Sequence, residues 1–175
     1  MPGSQGSTPT RPPHSTRALR VVLDSNVWID ILVFDDPHTR PIHAALEAGA
    51  LEAVVDERCF AELARVLEYP QFAQRSVDKA AALANVERLT LRVERALPTE
   101  GARPLPQCKD RDDQKFIELA HGSGAAWLVS KDRAVLKLAK RMTRDFGLQI
   151  APPAQFVAAC VALAESAGPN EPVPA

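Results

Sequence analysis

The chain has 175 residues, 46% of them hydrophobic and 25% charged, the proportions of an ordinary globular protein with apolar surface for one core. Its formal net charge of −1, from 21 basic and 22 acidic residues, excludes a protein that coats polyanions by bulk electrostatics, so any such contact must be a local patch. Three widely spaced cysteines, Cys59, Cys108 and Cys160, exclude a disulfide framework and a zinc knuckle, and fit a reducing cytoplasm.

Of the first 16 residues, 12 are Pro, Gly, Ser or Thr, a composition that cannot bury enough apolar area to offset its ordering entropy. Residues 1–18 are therefore expected to be a disordered tail, residues 19–164 one domain, and residues 165–175 a flexible end. No apolar segment follows the first tail, and no run approaches the length of a membrane span, so neither a secretory signal nor a transmembrane helix is expected.

Leu19–Leu23 is a short β-branched run that stops at Asp24-Ser25-Asn26, residue types favoured at helix starts, so it reads as strand and then helix. The stretch holding His38 and His43 reads as a connecting region. Leu51–Val55 is the next strand, closed by Asp56 as an N-cap, with a helix from Glu57 to about Tyr69 that Pro70 stops. Helical periodicity runs from Ser76 to about Arg95, and Pro98, Pro104 and Pro106 then impose a loop. A helix over Asp112–His121, a strand over Ala126–Val129, a helix from Arg133 to about Phe146 stopped by Gly147, a strand over Leu148–Ile150 and a terminal helix from Pro152-Pro153 to about Ala164 complete the chain. Strands alternating with helices call for an α/β fold with a parallel sheet covered by helices on both faces.

In such a sheet, ligands bind outside the carboxyl ends of the strands. Asp24 stands at that end of the first strand, and Asp132 follows Leu128-Val129 at the same end of another. Taken singly, each reads first as an N-cap. The helical acids are more telling. Glu57, Ala61, Arg65 and Glu68 share the wet face of their helix, whereas Glu62 lies with Cys59 and Val66 beside the apolar stripe. Asp113 falls on the stripe of Phe116, Ile117 and Ala120, opposite Gln114, Lys115 and Glu118. An ionised carboxylate on a buried stripe costs several kcal/mol, on the order of desolvation estimates, unless something compensates it. No cation shares either stripe within one turn, so a partner must come from another element. The plainer alternative leaves Glu62 half-exposed at its helix edge and makes Asp113 a helix cap.

Four carboxylates converging on one pocket repel one another unless hard divalent cations neutralise them, and Mg²⁺ or Mn²⁺ suits an all-oxygen site. Such a cluster supports in-line displacement at phosphorus, which requires no histidine base. The four histidines, His14, His38, His43 and His121, read as surface residues, and no nucleophile-elbow pattern is present. A substrate signal lies in Arg133, Lys137, Lys140 and Arg144, which stack at helical spacing opposite Val135, Ala139, Met142 and Phe146. That basic stripe starts just past Asp132 and would lead a phosphate backbone to the acids.

Four segments, Val21–Trp28, Glu62–Leu67, Asp110–Ala120 and Leu128–Asp132, occur in the order and spacing of a PIN-domain protein, and over about Leu19–Cys160 the chain resembles the toxin branch of that family in bacterial toxin–antitoxin systems. The resemblance implies a three-layer α/β/α sandwich, dependence on Mg²⁺ or Mn²⁺, and endonucleolytic cleavage of RNA. It implies that Asp24, Glu62, Asp113 and Asp132 are the acidic metal-site residues, that Asn26 and Ser130 orient them, and that Asp110 or Asp112 could add a ligand. It further implies a homodimer and inhibition by a small antitoxin protein. Ser130-Lys131-Asp132 departs from the more usual Thr-Gly-Asp by adding a positive side chain near the metal. The alternative is a module of the same fold that holds RNA or a protein partner without cutting. A phosphatase or receiver-type domain fits poorly, because Asn26 stands where an Asp-x-Asp pattern needs its second acid.

Overall fold

The computed structural model describes residues 17–161. The expected tails, apart from residues 17 and 18, and the end of the expected terminal helix lie outside the described residues.

Five strands form one sheet: β1 (Leu19–Leu23), β2 (Leu51–Val55), β3 (Thr90–Arg92), β4 (Trp127–Val129) and β5 (Gln149–Ala151). Their spatial order is β3-β2-β1-β4-β5, and every pairing is parallel. Side chains alternate along each strand and so feed two cores. Val21 and Leu23 of β1, with Trp127, Val129 and Ala151, pack on one face against Trp28, Ile42, Leu46, Val86 and Phe156. Val22, Val54, Leu128 and Ile150 pack on the other against Phe116, Ile117, Ala120, Val135 and Met142. The result is the expected α/β/α sandwich around a parallel sheet.

Around the sheet run α1 (Ser25–Ile29), α2 (Arg40–Glu47), α3 (Glu57–Val66), α4 (Pro70–Ala73), α5 (Lys79–Leu89), α6 (Gln114–Gly122), α7 (Arg133–Leu136), α8 (Ala139–Phe146) and α9 (Pro153–Phe156). A π-helical turn over Asp30–Phe34 continues α1, a 3₁₀ turn over Arg111–Asp113 precedes α6, and a second π turn over Val157–Val161 follows α9. Asp56 caps α3 as expected, accepting from the Cys59 amide at 2.9 Å. Gly147 ends α8 in the left-handed region at φ 69°, where a β-carbon would be strained.

The differences from the sequence reading have local causes. The segment read as a connection around His43 is helix α2, held by Ile42 and Leu46 one turn apart, with Pro41 in its first turn, where proline's missing amide costs nothing. For the same reason Pro70 opens α4; the helix before it has already ended at Val66. The periodic run after Ser76 gives way at Thr90 to β3, an edge strand beside β2 whose Leu91 is exposed. The helix read from Arg133 to Phe146 is broken: a tight amide bond from Leu138 to the Val135 carbonyl at 3.0 Å closes α7, and α8 begins at Ala139. The basic stripe therefore does not lie on one continuous helix.

Candidate metal and nuclease site at the carboxyl end of the sheet

From β1 the chain winds to β2 and β3 on one side, while β4 and β5 lie on the other. The topological reversal thus falls between β1 and β4, the place where an open parallel sheet leaves a crevice beyond its strand ends. Leu23 pairs with Val129 at the last register position, so the next residues, Asp24 and Ser130, face each other across the crevice.

Asp24 is buried. One oxygen meets the Asn26 amide at 3.5 Å as the N-cap of α1, and the other accepts the Ser130 hydroxyl at 2.6 Å. Burial pushes its carboxyl up to about 6; the bonds from Ser130 and Asn26 work against that rise, and the charges of Glu62 and Asp132 add to it. Ser130 is fully buried, and its oxygen in turn accepts the Asp132 amide at 3.0 Å. Asp132 caps α7, taking the Ala134 amide at 2.7 Å. The side-chain oxygen of Asn26 accepts the Lys131 amide at 3.3 Å, a second tie between the end of β1 and the turn after β4. The N-cap role of both strand-end acids is therefore real; Asp24 has both oxygens engaged, whereas both cap bonds of Asp132 fall on the same oxygen.

Asp113 occupies the start of α6 but makes no side-chain capping bond, which removes the plainer explanation for it. It is half-buried, and its carboxyl is pushed up to about 7 by burial first and then by the charges of Asp24, Asp132, Asp110 and Glu62. These acids from four separated segments thus act on one region. Asp110 is exposed and caps the 3₁₀ turn through the Asp112 amide at 3.0 Å, and Asp112 is exposed as well.

Glu62 is half-buried on α3. It accepts the Ser25 hydroxyl at 2.9 Å and forms an ion pair with Lys115 of α6. The compensating cation comes from another element, as the stripe requires, although helical phase puts Lys115 on the wet side of its helix. Sequence reasoning also missed Asp30, a buried acid on the π turn that pairs with Lys131 at 2.5 Å. Its signal was the one used for Glu62 and Asp113: a single carboxylate inside the apolar run Val27–Phe34.

The donor set is all oxygen, and burial together with the charge of neighbouring acids raises two of its carboxyls, which is the chemistry a hard divalent ion would satisfy. Among the described residues, however, no three acidic, histidine or cysteine side chains stand close enough to form a ready metal shell. The acids share a crevice without already sharing a coordination sphere.

Ser130→Ala checks the coupling across the crevice. Removing the hydroxyl withdraws the bond that favours ionised Asp24 and strands the Asp132 amide. The Asp24 titration should move above about 6, seen by carboxyl ¹³C NMR, with a loss of about 1–3 kcal/mol in unfolding free energy. An unmoved Asp24 titration would show that Ser130 does not govern this acid.

A comparison with curated proteins returns no match. Among solved structures, the chain is similar to one titled "Crystal structure of VapBC2 from Rickettsia felis bound to a DNA fragment from their promoter", with 12% sequence identity and a TM-score of 0.47, over 75% of this chain and 97% of that one. The family model described as "PIN domain" matches residues 20–134, which run from β1 through β4 and contain all four acids discussed above. On that match, spanning well over half of its length, the chain belongs to the PIN-domain family.

Proposed function

We propose that this protein is a Mg²⁺- or Mn²⁺-dependent endoribonuclease of the toxin–antitoxin type, with Asp24, Glu62, Asp113 and Asp132 as its metal-binding acids. The observation that carries the reading is the gathering of acids at the switch point of a PIN-domain sheet, where burial first and then neighbouring carboxylate charge push Asp24 to about 6 and Asp113 to about 7. A divalent ion bound there would supply Lewis-acid stabilisation of charge at phosphorus and a water acidic enough to act as nucleophile. The chain's own residues do the positioning. Ser130 and Asn26 hold the ends of β1 and β4 together, Ser130 fixes one oxygen of Asp24, and Ser25 fixes one of Glu62. Neutralised acids are compatible with an approaching phosphodiester, which the bare cluster would repel.

A second reading, a module that binds RNA or a protein without cutting, draws on the Lys115–Glu62 ion pair and on the lack of a ready three-acid shell. Metal dependence separates the two. Incubated with single-stranded RNA, the nuclease should cut internally with Mn²⁺ or Mg²⁺ and stop on adding EDTA; binding without cleavage across varied RNAs would favour the second reading. A partner antitoxin, a homodimer and a cytoplasmic location belong to the same proposal. Among the described residues, no helix is long and apolar enough to cross a membrane.

A further inference from the structure

A cleft of about 700 Å³ lies beside the acids, between α3, the loop leading to Asp113, and α6. Four cations line it, Arg58, Lys109, Arg111 and Lys115, against two acids, Asp112 and Glu118. Two of the four are engaged within the protein. Arg58 is held by Asp56 at 3.0 Å and Glu118 at 2.7 Å, and Lys115 reaches Glu62 and the Asp112 carbonyl. Lys109 and Arg111 are exposed, and among the described residues neither forms an ion pair.

The loop that carries them is pinned rather than loose. The side-chain amide of Gln114 on α6 accepts the Cys108 amide at 2.6 Å through its oxygen and donates to the Pro106 carbonyl at 3.2 Å through its nitrogen. Cys108 itself is buried in the core. The cleft adjoins the segments that carry the site acids: Asp112 on its wall is the chain neighbour of Asp113, and Lys115, also on its lining, pairs with Glu62. By contrast the α7–α8 stripe is interrupted at Lys137-Leu138, and its Arg144 is bound to Asp145 at 2.7 and 3.0 Å.

We propose that this cleft seats the phosphate backbone of single-stranded RNA on its way to the acids, and that Lys109 and Arg111, rather than the α7–α8 stripe, grip it. The inference rests on the nuclease reading above and names where its substrate lies. None of the lining residues is aromatic, so the cleft offers no stacking platform, and its grip is electrostatic and tolerant of sequence.

The test is binding of a short fluorescein-labelled single-stranded RNA, by anisotropy, to the full chain in EDTA across a range of salt concentrations. Lys109→Ala with Arg111→Ala should weaken binding at low salt by at least about tenfold and flatten the slope of log affinity against log salt by about 1.4, two single-strand phosphate contacts' worth. Lys137→Ala with Lys140→Ala should leave both nearly as in the parent chain. Unchanged affinity and slope in the first pair, the larger loss in the second, or no measurable binding by the parent chain at low salt overturns the proposal. RNA bound through Lys109 and Arg111 but never cut with Mn²⁺ would uphold the cleft and end the nuclease reading. Cleavage that is indifferent to both residues would do the reverse.

Discussion

Asp113→Asn is expected to lower Mn²⁺-dependent RNA cleavage by at least about 100-fold, the scale of losing one charge-stabilising group in an active site, while making the metal-free protein more stable. The two effects have one origin. Burial and four neighbouring acids push the Asp113 carboxyl from 3.8 to about 7, so its ionised form is disfavoured in the folded chain. Asparagine keeps the shape and removes the charge. Because the side chain is only half-buried, solvent screens much of the repulsion, and a gain of about 1–2 kcal/mol is expected at neutral pH rather than the full value of the shift. Thermal unfolding in EDTA should therefore occur several degrees higher in the variant. Cleavage at the parental rate would remove Asp113 from the site. Lost cleavage accompanied by a lower melting temperature would mean that the carboxylate serves the fold instead.

The metal-free protein should lose stability as pH rises between about 4 and 7, and a divalent ion should restore it. Asp24 and Asp113 are both raised, from 3.8 to about 6 and about 7, so in this interval the folded chain binds more protons than the unfolded one. Unfolding free energy then falls with increasing pH, and the loss is complete above about pH 7. Asp56 works in the opposite sense: burial would raise its carboxyl, but the Cys59 amide and Arg58 outweigh that and hold it below its ordinary value, so its contribution disappears only on acidification. The contribution of the site pair is isolated by comparing the parent chain with the Asp24→Asn/Asp113→Asn double variant, whose melting temperature should depend less on pH. Mg²⁺ or Mn²⁺ should raise the parental melting temperature more at about pH 8 than at about pH 5.5, because ligand carboxylates must be deprotonated to bind. An ion effect that is equal at both pH values, or undiminished in the double variant, would place the ion elsewhere.

Much of this arrangement was legible from local rules. β1 and β2 were bounded by β-branched runs ending at capping acids, and both caps form. The helical phase of Asp113 against Phe116, Ile117 and Ala120 identified an acid that lacks a local partner, and its side chain indeed makes no cap bond. What stayed hidden depended on tertiary contacts. β3 is three residues long and exists because Val55 and its neighbours offer an edge to pair with. Lys115 lies toward solvent by helical phase, yet its long stem lets the ammonium reach Glu62 on α3. The break between α7 and α8 carries no glycine or proline, so the periodicity of Val135, Ala139, Met142 and Phe146 continues across it and conceals it.

The hydroxyl of Ser130 joins Asp24 across 106 positions of the sequence, and β1 has β4 as its neighbour on the side where the crevice opens. During synthesis the first acid leaves the ribosome long before the residue that orients it. Until β4 has been made, β1 can pair only with β2, and the crevice has one wall. A nascent or truncated chain ending before Trp127 therefore carries Asp24, Glu62 and Asp113 without the strand that closes the site around them. The order of translation alone delays assembly of the site until the last quarter of the chain is being made.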